Sequence, residues 1–357
     1  MVAVINTDTI VIGAGPVGLF QAFQLGLLGL NTHVIDALPE AGGQCVALYP
    51  DKPIYDVPGV PVCTGRELAQ LLLAQARPFL PRDPASGQIA NLHLNDQVAS
   101  VQPLADGGFE IATQQGLQFH CRAVFVAAGA GAFVPRTLNV AALDGAANVH
   151  YHLPEALSAA PWVGQHLVMA GGGEEALTAV EALMDGPADA RPASLTLLHR
   201  RDQFQAPPEQ EARVRAWIAQ GQVKLALGLP SGADLQGGRV TALQCLGADG
   251  ATHALPLDHL LIRLGLSPKL GPLVDWGFQL DRKQVSVSPD GYQSSVKGIY
   301  AVGDINTYPG KKRLLLCGFH EATLAAHHAL AQLKPDQPQH LQYTTTSTLL
   351  HQRLGLA

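Results

Sequence analysis

Short, wholly apolar runs alternate along this chain with glycine turns and with longer stretches whose apolar positions recur at the helical interval. Residues 8–12, DTIVI, predict a buried strand; GAGPVG follows at once, and LFQAFQLGLLG (19–29) then carries the helical pattern. NTHVIDA, ending at residue 37, predicts the next strand, so the chain opens with one strand-helix-strand unit. The pattern recurs in GQHLVMAGGGEEALTAVEALMDG (164–186), a strand, glycine turn and helix, and in ASLTLLHRRDQF (193–204), the strand after it. Two glycine fingerprints in this local context, about 158 residues apart, carry far more weight than one.

RAVFVAAGAGAFVPR (122–136) and LDHLLIRLGLSPKLG (257–271) each lead from a strand into glycine bends and close the two sheets. VKGIYAVGDINTYPGKKRLLLCGFHEATLAAHHALAQL (296–333) then predicts a strand, a Gly-Asp turn and a long apolar helix. That order predicts an α/β protein with two Rossmann-like dinucleotide-binding domains, the second inserted into the first. The first domain spans 1–137 and resumes over 268–357 with a C-terminal tail, and the inserted domain spans 138–267. The alternative is two sequential domains with a C-terminal appendage. A proline-containing linker, KPDQPQH (334–340), precedes the tail QYTTTSTLLHQRLGLA, which is polar and then amphipathic.

In GAGPVG, Gly13 permits a tight turn, Gly15 lets the backbone approach a pyrophosphate, and Gly18 allows close packing of helix on strand. The helix N-terminus then offers oriented N–H groups to phosphate oxygens. Asp36 ends the next strand, eighteen residues beyond Gly18, where a carboxylate accepts hydrogen bonds from ribose hydroxyls. The second fingerprint, Gly171, Gly173 and Ala176, is followed by a strand that ends in His199, Arg200 and Arg201. A carboxylate there would repel a 2′-phosphate, whereas guanidinium groups clamp one, so the second nucleotide reads as NADPH; a merely solvated charge run is the alternative. Asp304, in AVGDI, is placed to bond a polyol such as the ribityl chain of a flavin, with the following helix N-terminus facing the ring edge, or else to serve as an N-cap.

Composition narrows the class. A chain of 357 residues, 47% apolar and 15% charged with 37 glycines, suits two domains that each bury a core. A formal charge of −6 without a basic stripe gives no support to a nucleic-acid partner. Cys45, Cys63, Cys121, Cys245 and Cys317 form neither C-x-x-C nor C-x-x-x-x-C; from Cys45 the latter spacing lands on Pro50. HYH (150–152) and HH (327–328) match no helical metal-binding pattern, so no metal is assigned. The opening MVAVINTDTIVIGAG has no basic n-region, and no apolar run approaches the ~20 residues of a membrane span, so a cytoplasmic location is expected.

GAGPVGL, GGQ followed by ALYPDKPIYDVPG, GGGEEA, HRRDQF and GIYAVGDINTYPGKKRLLLCGFHEA together resemble the two-dinucleotide-fold flavoprotein reductases. The closest resemblance is to the thioredoxin-reductase-like type of ferredoxin-NADP reductase, over nearly the whole chain and with the motifs in the family's order. Thioredoxin reductases proper carry C-x-x-C in the NADPH domain, and this chain has no cysteine between 121 and 245. The resemblance implies FAD bound in the first domain by Gly13, Gly15, Pro16, Gly18, Asp36, Gln44 and Tyr49, with Val98, Phe133, Asp304 and Thr345 completing the site. It implies NADP(H) in the inserted domain at Gly171, Gly172, Gly173, Glu174, Arg200 and Arg201. Tyr49 would stack on the isoalloxazine.

The activity implied is hydride transfer from NADPH to FAD, then release of single electrons to ferredoxin or flavodoxin, reversibly and without a redox disulfide. The resemblance also implies a homodimer whose C-terminal extension covers the partner's flavin. One departure is Gln205, where the family often has a further arginine after HRRDxF, which bears on the strictness of the NADPH preference. Lys311, Lys312 and Arg313 form a cationic cluster that suits an acidic carrier, or a solvated turn. A single-cysteine NAD(P)H peroxidase, oxidase or disulfide reductase cycling Cys45 is the competing enzyme, although such enzymes carry a further C-terminal interface domain. A flavin-binding sensor without turnover is the other alternative, and it has no need of a second nucleotide site.

Overall fold

The apolar runs at 9–12, 32–35 and 123–126 form neighbouring parallel strands, and every residue in them is buried. The computed structural model describes residues 4–105, 107–154, 156–336 and 343–356; most of the linker before the tail lies outside the described residues. The helices are α1 (Pro16–Leu27), α2 (Gln44–Ala47), α3 (Gly65–Ala76), α4 (Glu174–Asp185), α5 (Pro208–Ala219), α6 (Leu315–Leu333) and α7 (Thr348–Arg353). The chain divides into two compact units, Met1–Ala132 with Lys269–Ala357, and Phe133–Pro268.

In the first unit a parallel sheet runs in the order Ile299–Ala301, Ala123–Val126, Thr9–Ile12, Thr32–Ile35, Leu92–His93. Because side chains on a strand alternate between faces, each apolar run feeds two cores. Val11, Val34, Phe125 and Tyr300 pack with Leu19 and Ala22 of α1, Leu68 and Leu72 of α3 and Ala325 and Ala326 of α6. Ile10, Ile12, Ile35, Val124 and Val126 face the other way, onto Val101, Ile111 and Phe119 of an antiparallel layer formed by Val98–Pro103, Phe109–Thr113 and Gln118–Cys121. The start of α3 is fixed by a capping box: Thr64 accepts from the Glu67 N–H at 3.2 Å, and the Glu67 carboxylate accepts from the Thr64 N–H at 2.7 Å.

The second unit repeats the plan. Its parallel sheet runs Val149–His150, His259–Ile262, His166–Ala170, Ser194–His199, Val223–Leu227. Leu167, Met169, Leu195 and Leu197 pack with Leu177 and Val180 of α4 and Val214 of α5, while Val168, Ala170, Leu198 and Leu260 meet Val240 and Leu243 of a three-stranded antiparallel layer. The nesting read from the sequence is visible in the strand order. Ile299–Ala301 pairs beside Ala123–Val126, so the whole second unit is inserted between two hydrogen-bonded neighbours of the first unit's sheet.

At the outer strands of the first sheet, the rings of His33 and His93 stack 5.2 Å apart against Phe119, with Nδ1 and Nε2 2.9 Å from each other. Burial first, and then His93, holds the pKa of His33 down from 6.5 to about 4. The unfolded chain therefore takes up the proton before the folded one, and the stability His33 contributes is complete above its unfolded pKa and lost as pH falls through the window from 6.5 to about 4. The loss from this one group is of order 3 kcal/mol. In denaturant titrations at pH 7.5 and pH 4, His33→Leu should show a smaller drop in unfolding free energy than the parent; equal drops would refute the role.

Candidate functional site

The glycine loop of the first unit is built from backbone contacts too close for side chains. Gly13 has φ +109, and a Cβ there would lie 2.5 Å from the Ala127 carbonyl oxygen; one on Gly18 would lie 1.8 Å from the Gly13 oxygen. A Cβ on Gly43 would lie 2.9 Å from the Gly15 Cα, so the Gly42–Gly43 turn sits directly on the loop, and the Gly42 N–H donates to the Ala14 oxygen at 2.9 Å. A Cβ on Gly15 itself would meet nothing nearer than the Gly43 Cα at 3.8 Å. Pro16 occupies the first turn of α1, whose N-terminus has no side-chain cap, leaving N–H groups for another acceptor. Asp36 accepts from the Ala14 N–H at 2.5 Å and the Leu38 N–H at 2.8 Å, while burial pushes its pKa up. Its carboxylate thus holds the loop as well as standing beside it.

The segment after Gly43 turns into α2. The Gln44 amide nitrogen lies 2.9 Å from where a Cβ of Gly129 would be, so it lies against the bend that follows Ala123–Val126. Cys45 is buried, and burial, then Cys63 and Asp304, raises its thiol pKa. Tyr49 is half-buried, and its phenol is raised by burial, then by Cys45 and Asp304. The charge of Asp304 therefore acts on both residues, although more than 250 positions separate them from it in sequence.

Asp304 lies in a short 3-10 turn, Gly303–Ile305, that packs on the start of α1: a Cβ on Gly303 would be 3.3 Å from Val17 Cγ2. The helix that follows Asp304 in the chain, α6, begins eleven residues after it. Asn306–Thr307 forms a strand beside Gln284–Ser286 before α6 begins at Leu315. Gln284 donates its amide to the carbonyl oxygens of Asp304 at 3.1 Å and Asn306 at 3.0 Å. Among the described residues the Asp304 carboxylate has no hydrogen-bond partner in the chain. The cationic cluster is corrected. The Lys311 side chain is only 8% exposed, 2.5 Å from Glu321 and 2.8 Å from the Gly303 oxygen, because a fully buried carboxylate requires a counter-charge; Lys312 and Arg313 are exposed.

Val98 is buried at the head of its strand. Phe133 is half-buried and opens the second unit. Thr345 lies in an exposed turn, and four residues later Leu349 of α7 lies 3.7 Å from the Cβ position of Gly29, at the end of α1 away from the glycine loop. Within one chain the tail covers that far end.

In the second unit, a Cβ on Gly171 would lie 2.3 Å from the Arg263 oxygen and 2.7 Å from the Ala176 Cβ, and one on Gly172 would lie 2.5 Å from the His199 ring. Gly173 caps α4 without a side-chain acceptor. Glu174 is exposed in the first turn; Glu175 is paired with Arg263 at 2.7 Å. Arg200 and Arg201 are exposed, and neither takes part in an ion pair among the described residues. Asp202 is bound by Arg215, whose guanidinium carbon sits 4.5 Å over the Phe204 ring. The Gln205 N–H donates to the Gly172 oxygen at 2.8 Å, so this position is tied to the glycine loop through its backbone. Gly43 and Gly129, from the GGQ turn and the glycine bend already singled out, shape these surroundings together with Gln284, Glu321 and Arg215, which sequence reasoning missed. Glu321 left one readable signal, a lone acid within the apolar helix LLLCGFHEATLAA. Among the described residues no group of three or more His, Cys, Asp or Glu is arranged to hold a metal ion, and no helix is long and apolar enough to cross a membrane.

Two parallel-sheet units, each with a glycine turn opening a helix and one nested in the other, define a two-dinucleotide-fold oxidoreductase. Residues 7–332 match the pyridine nucleotide-disulphide oxidoreductase family. The chain is 50% identical to the ferredoxin-NADP reductase of Paracidovorax citrulli over 364 residues, covering 99% of this chain and 97% of that one. It is also 50% identical to the ferredoxin-NADP reductase of Verminephrobacter eiseniae over 361 residues, covering 99% and 98%. The chain belongs to the pyridine nucleotide-disulphide oxidoreductase family and, within it, to the ferredoxin-NADP reductases. Its fold is similar to that of T. acidophilum thioredoxin reductase, with a TM-score of 0.56 at 20% identity over 92% of this chain and 99% of that one.

The contacts separate two glycines of the loop. Gly18→Ala drives a Cβ into backbone and should lower the stability of the first unit by several kcal/mol, roughly the scale of a severe core defect. Gly15→Ala makes only an ordinary contact, 3.8 Å from the Gly43 Cα, and should cost about 1 kcal/mol or less. Thermal unfolding of the two variants checks this; equal destabilisation would refute it.

Proposed function

We propose that this chain is an NADPH-dependent flavoprotein, a ferredoxin-NADP reductase that carries FAD and works without a redox disulfide. The observation that carries the reading is the contrast between the two glycine-opened helices: the strand after the first ends in Asp36, and the strand after the second ends in unpaired Arg200 and Arg201. Gly13, Gly15, Pro16 and Gly18 with the N-terminus of α1 suit a pyrophosphate, and Asp36 suits ribose hydroxyls. Gln44, Tyr49 and Asp304 converge beside that loop, where an aromatic face and an unpartnered carboxylate suit an isoalloxazine and its ribityl chain. The Val98 backbone, Phe133 and Thr345 complete the flavin site, Thr345 from a second copy of the chain in a homodimer. Gly171, Gly172, Gly173 and Glu174 hold NADP(H) at the N-terminus of α4, with Arg200 and Arg201 on the 2′-phosphate.

When bound, the flavin supplies the chemistry of accepting a hydride from NADPH and releasing electrons singly to ferredoxin or flavodoxin. The protein binds, orients and sets the electrostatics. Burial keeps the Cys45 thiol protonated and a poor nucleophile, and all five cysteines are unpaired, which favours this reading over a thiol cycle. Unpaired cysteines also suit a reducing cytoplasm. Lys312 and Arg313, beside exposed Leu314 and Leu316, offer a positive and partly apolar surface to an acidic carrier.

Anaerobic titration with NADPH should bleach the flavin band, and ferredoxin or flavodoxin added afterwards should restore it; a flavin that NADPH leaves oxidised would sink the reductase assignment. Cys45→Ser should keep most NADPH-dependent ferredoxin reduction, whereas near-complete loss with flavin still bound would favour the thiol cycle. Arg200→Ala should raise KM for NADPH by about tenfold and leave KM for NADH nearly unchanged. Equal changes for the two nucleotides would refute the 2′-phosphate role.

A further inference from the structure

Glu321, within α6, has no solvent exposure, and each of its carboxylate oxygens accepts two hydrogen bonds. The Gly303 N–H and the Asn306 amide donate to Oε2 at 2.7 and 2.9 Å, and the Tyr308 hydroxyl and Lys311 Nζ donate to Oε1 at 2.9 and 2.5 Å. Lys311 also donates to the Gly303 carbonyl oxygen at 2.8 Å. The acid and the base of one buried pair therefore hold Gly303 by its N–H and its C=O. Gly303 has φ +78, a conformation open to glycine and strained for other residues. On the far side of the turn, Gln284 holds the Asp304 carbonyl. The peptide groups on both sides of Asp304 are thus fixed by side chains from other elements, while among the described residues its own carboxylate has no partner.

A buried ion pair is a weak source of net stability, because the cost of removing both charges from water offsets their attraction. What this pair supplies is geometry. Burial and the Glu321 carboxylate push the Tyr308 phenol up, so it remains a donor throughout the neutral range.

We propose that Glu321 and Lys311 are positioning residues for ligand recognition by Asp304: the pair presets the Gly303–Ile305 turn so that the carboxylate meets the polyol chain of a flavin without rearrangement. This rests on the flavin site proposed above. Preorganisation of this kind lowers the cost of binding rather than adding a contact. The pair belongs to the affinity of the site although it does not touch the ligand.

The test uses the full-length holoenzyme and follows FAD release on dilution by recovery of flavin fluorescence, with visible circular dichroism of the bound flavin as a second readout. The double variant Lys311→Met with Glu321→Met replaces both charges by apolar groups and leaves neither buried alone, so it should fold. It should bind FAD about tenfold or more weakly and change the flavin dichroism. Tyr308→Phe removes one donor to Glu321 without freeing Gly303, and should lower the melting temperature while keeping the parent's FAD affinity. FAD affinity within twofold of the parent in the folded double variant would overturn the proposal, and so would a loss in Tyr308→Phe that matches the double variant. Asp304→Asn separates the two levels. Weakened FAD binding there with an unaffected double variant defeats the positioning role alone, whereas unchanged binding in Asp304→Asn defeats the flavin-facing assignment of the turn and the positioning role with it.

Discussion

The first unit is organised around one steric constraint: three stretches of backbone meet where no Cβ fits. Gly13 lies against Ala127, Gly18 against Gly13, and Gly43 against Gly15. Because α1 sits this close to the sheet, the Asp36 carboxylate reaches the Ala14 N–H, and the Gly42–Gly43 turn lies on the loop and delivers Gln44, Cys45 and Tyr49 to the same end of the sheet. The second unit meets the same constraint with different atoms. Gly171 approaches the Arg263 oxygen and also the methyl of Ala176, which stands at the packing position in place of a third glycine.

The two units differ in how they treat charge. In the first, the acid and base nearest the Asp304 turn, Glu321 and Lys311, are paired with each other, so that among the described residues the group of the turn left without a partner is the Asp304 carboxylate. In the second, two of the acids around the glycine loop are paired with more distant arginines, Asp202 with Arg215 and Glu175 with Arg263, while Glu174 stays exposed in the first turn of α4. Arg200 and Arg201 then keep their positive field intact. An anion would find no nearby unpaired acid from Asp202 or Glu175 to repel it, and focused fields of this kind raise the local concentration of charged ligands.

The parallel strands and both glycine turns were legible in the sequence because a strand buried on both faces is a continuous apolar run, and few other patterns produce one. The antiparallel layers were not, since Leu229–Gln236 and Thr252–Pro256 are short, partly exposed and weakly patterned. Lys311, Lys312 and Arg313 look alike in sequence; only the position of Glu321 on the next helix separates the buried lysine from its neighbours. Asp304 was recognised, but the strand that follows it depends on pairing with Gln284–Ser286, a contact between segments that no local pattern announces. Tertiary pairing, rather than propensity, decided each case that the sequence reading missed.

The nested topology has a consequence for biosynthesis. A chain emerging from its N-terminus completes Phe133–Pro268 before the edge strand Ile299–Ala301 exists, so the inserted unit can fold while the sheet of the first unit is still unfinished. Its entering and leaving strands, Ala132–Pro135 and Leu266–Lys269, pair with each other. Once they have done so, Val126 and Ile299 are joined by a much shorter effective loop, and the entropy of closing the outer sheet falls accordingly. The inserted unit acts as a clasp in assembly, and the Asp304 turn meets the glycine loop only as the last third of the chain is made.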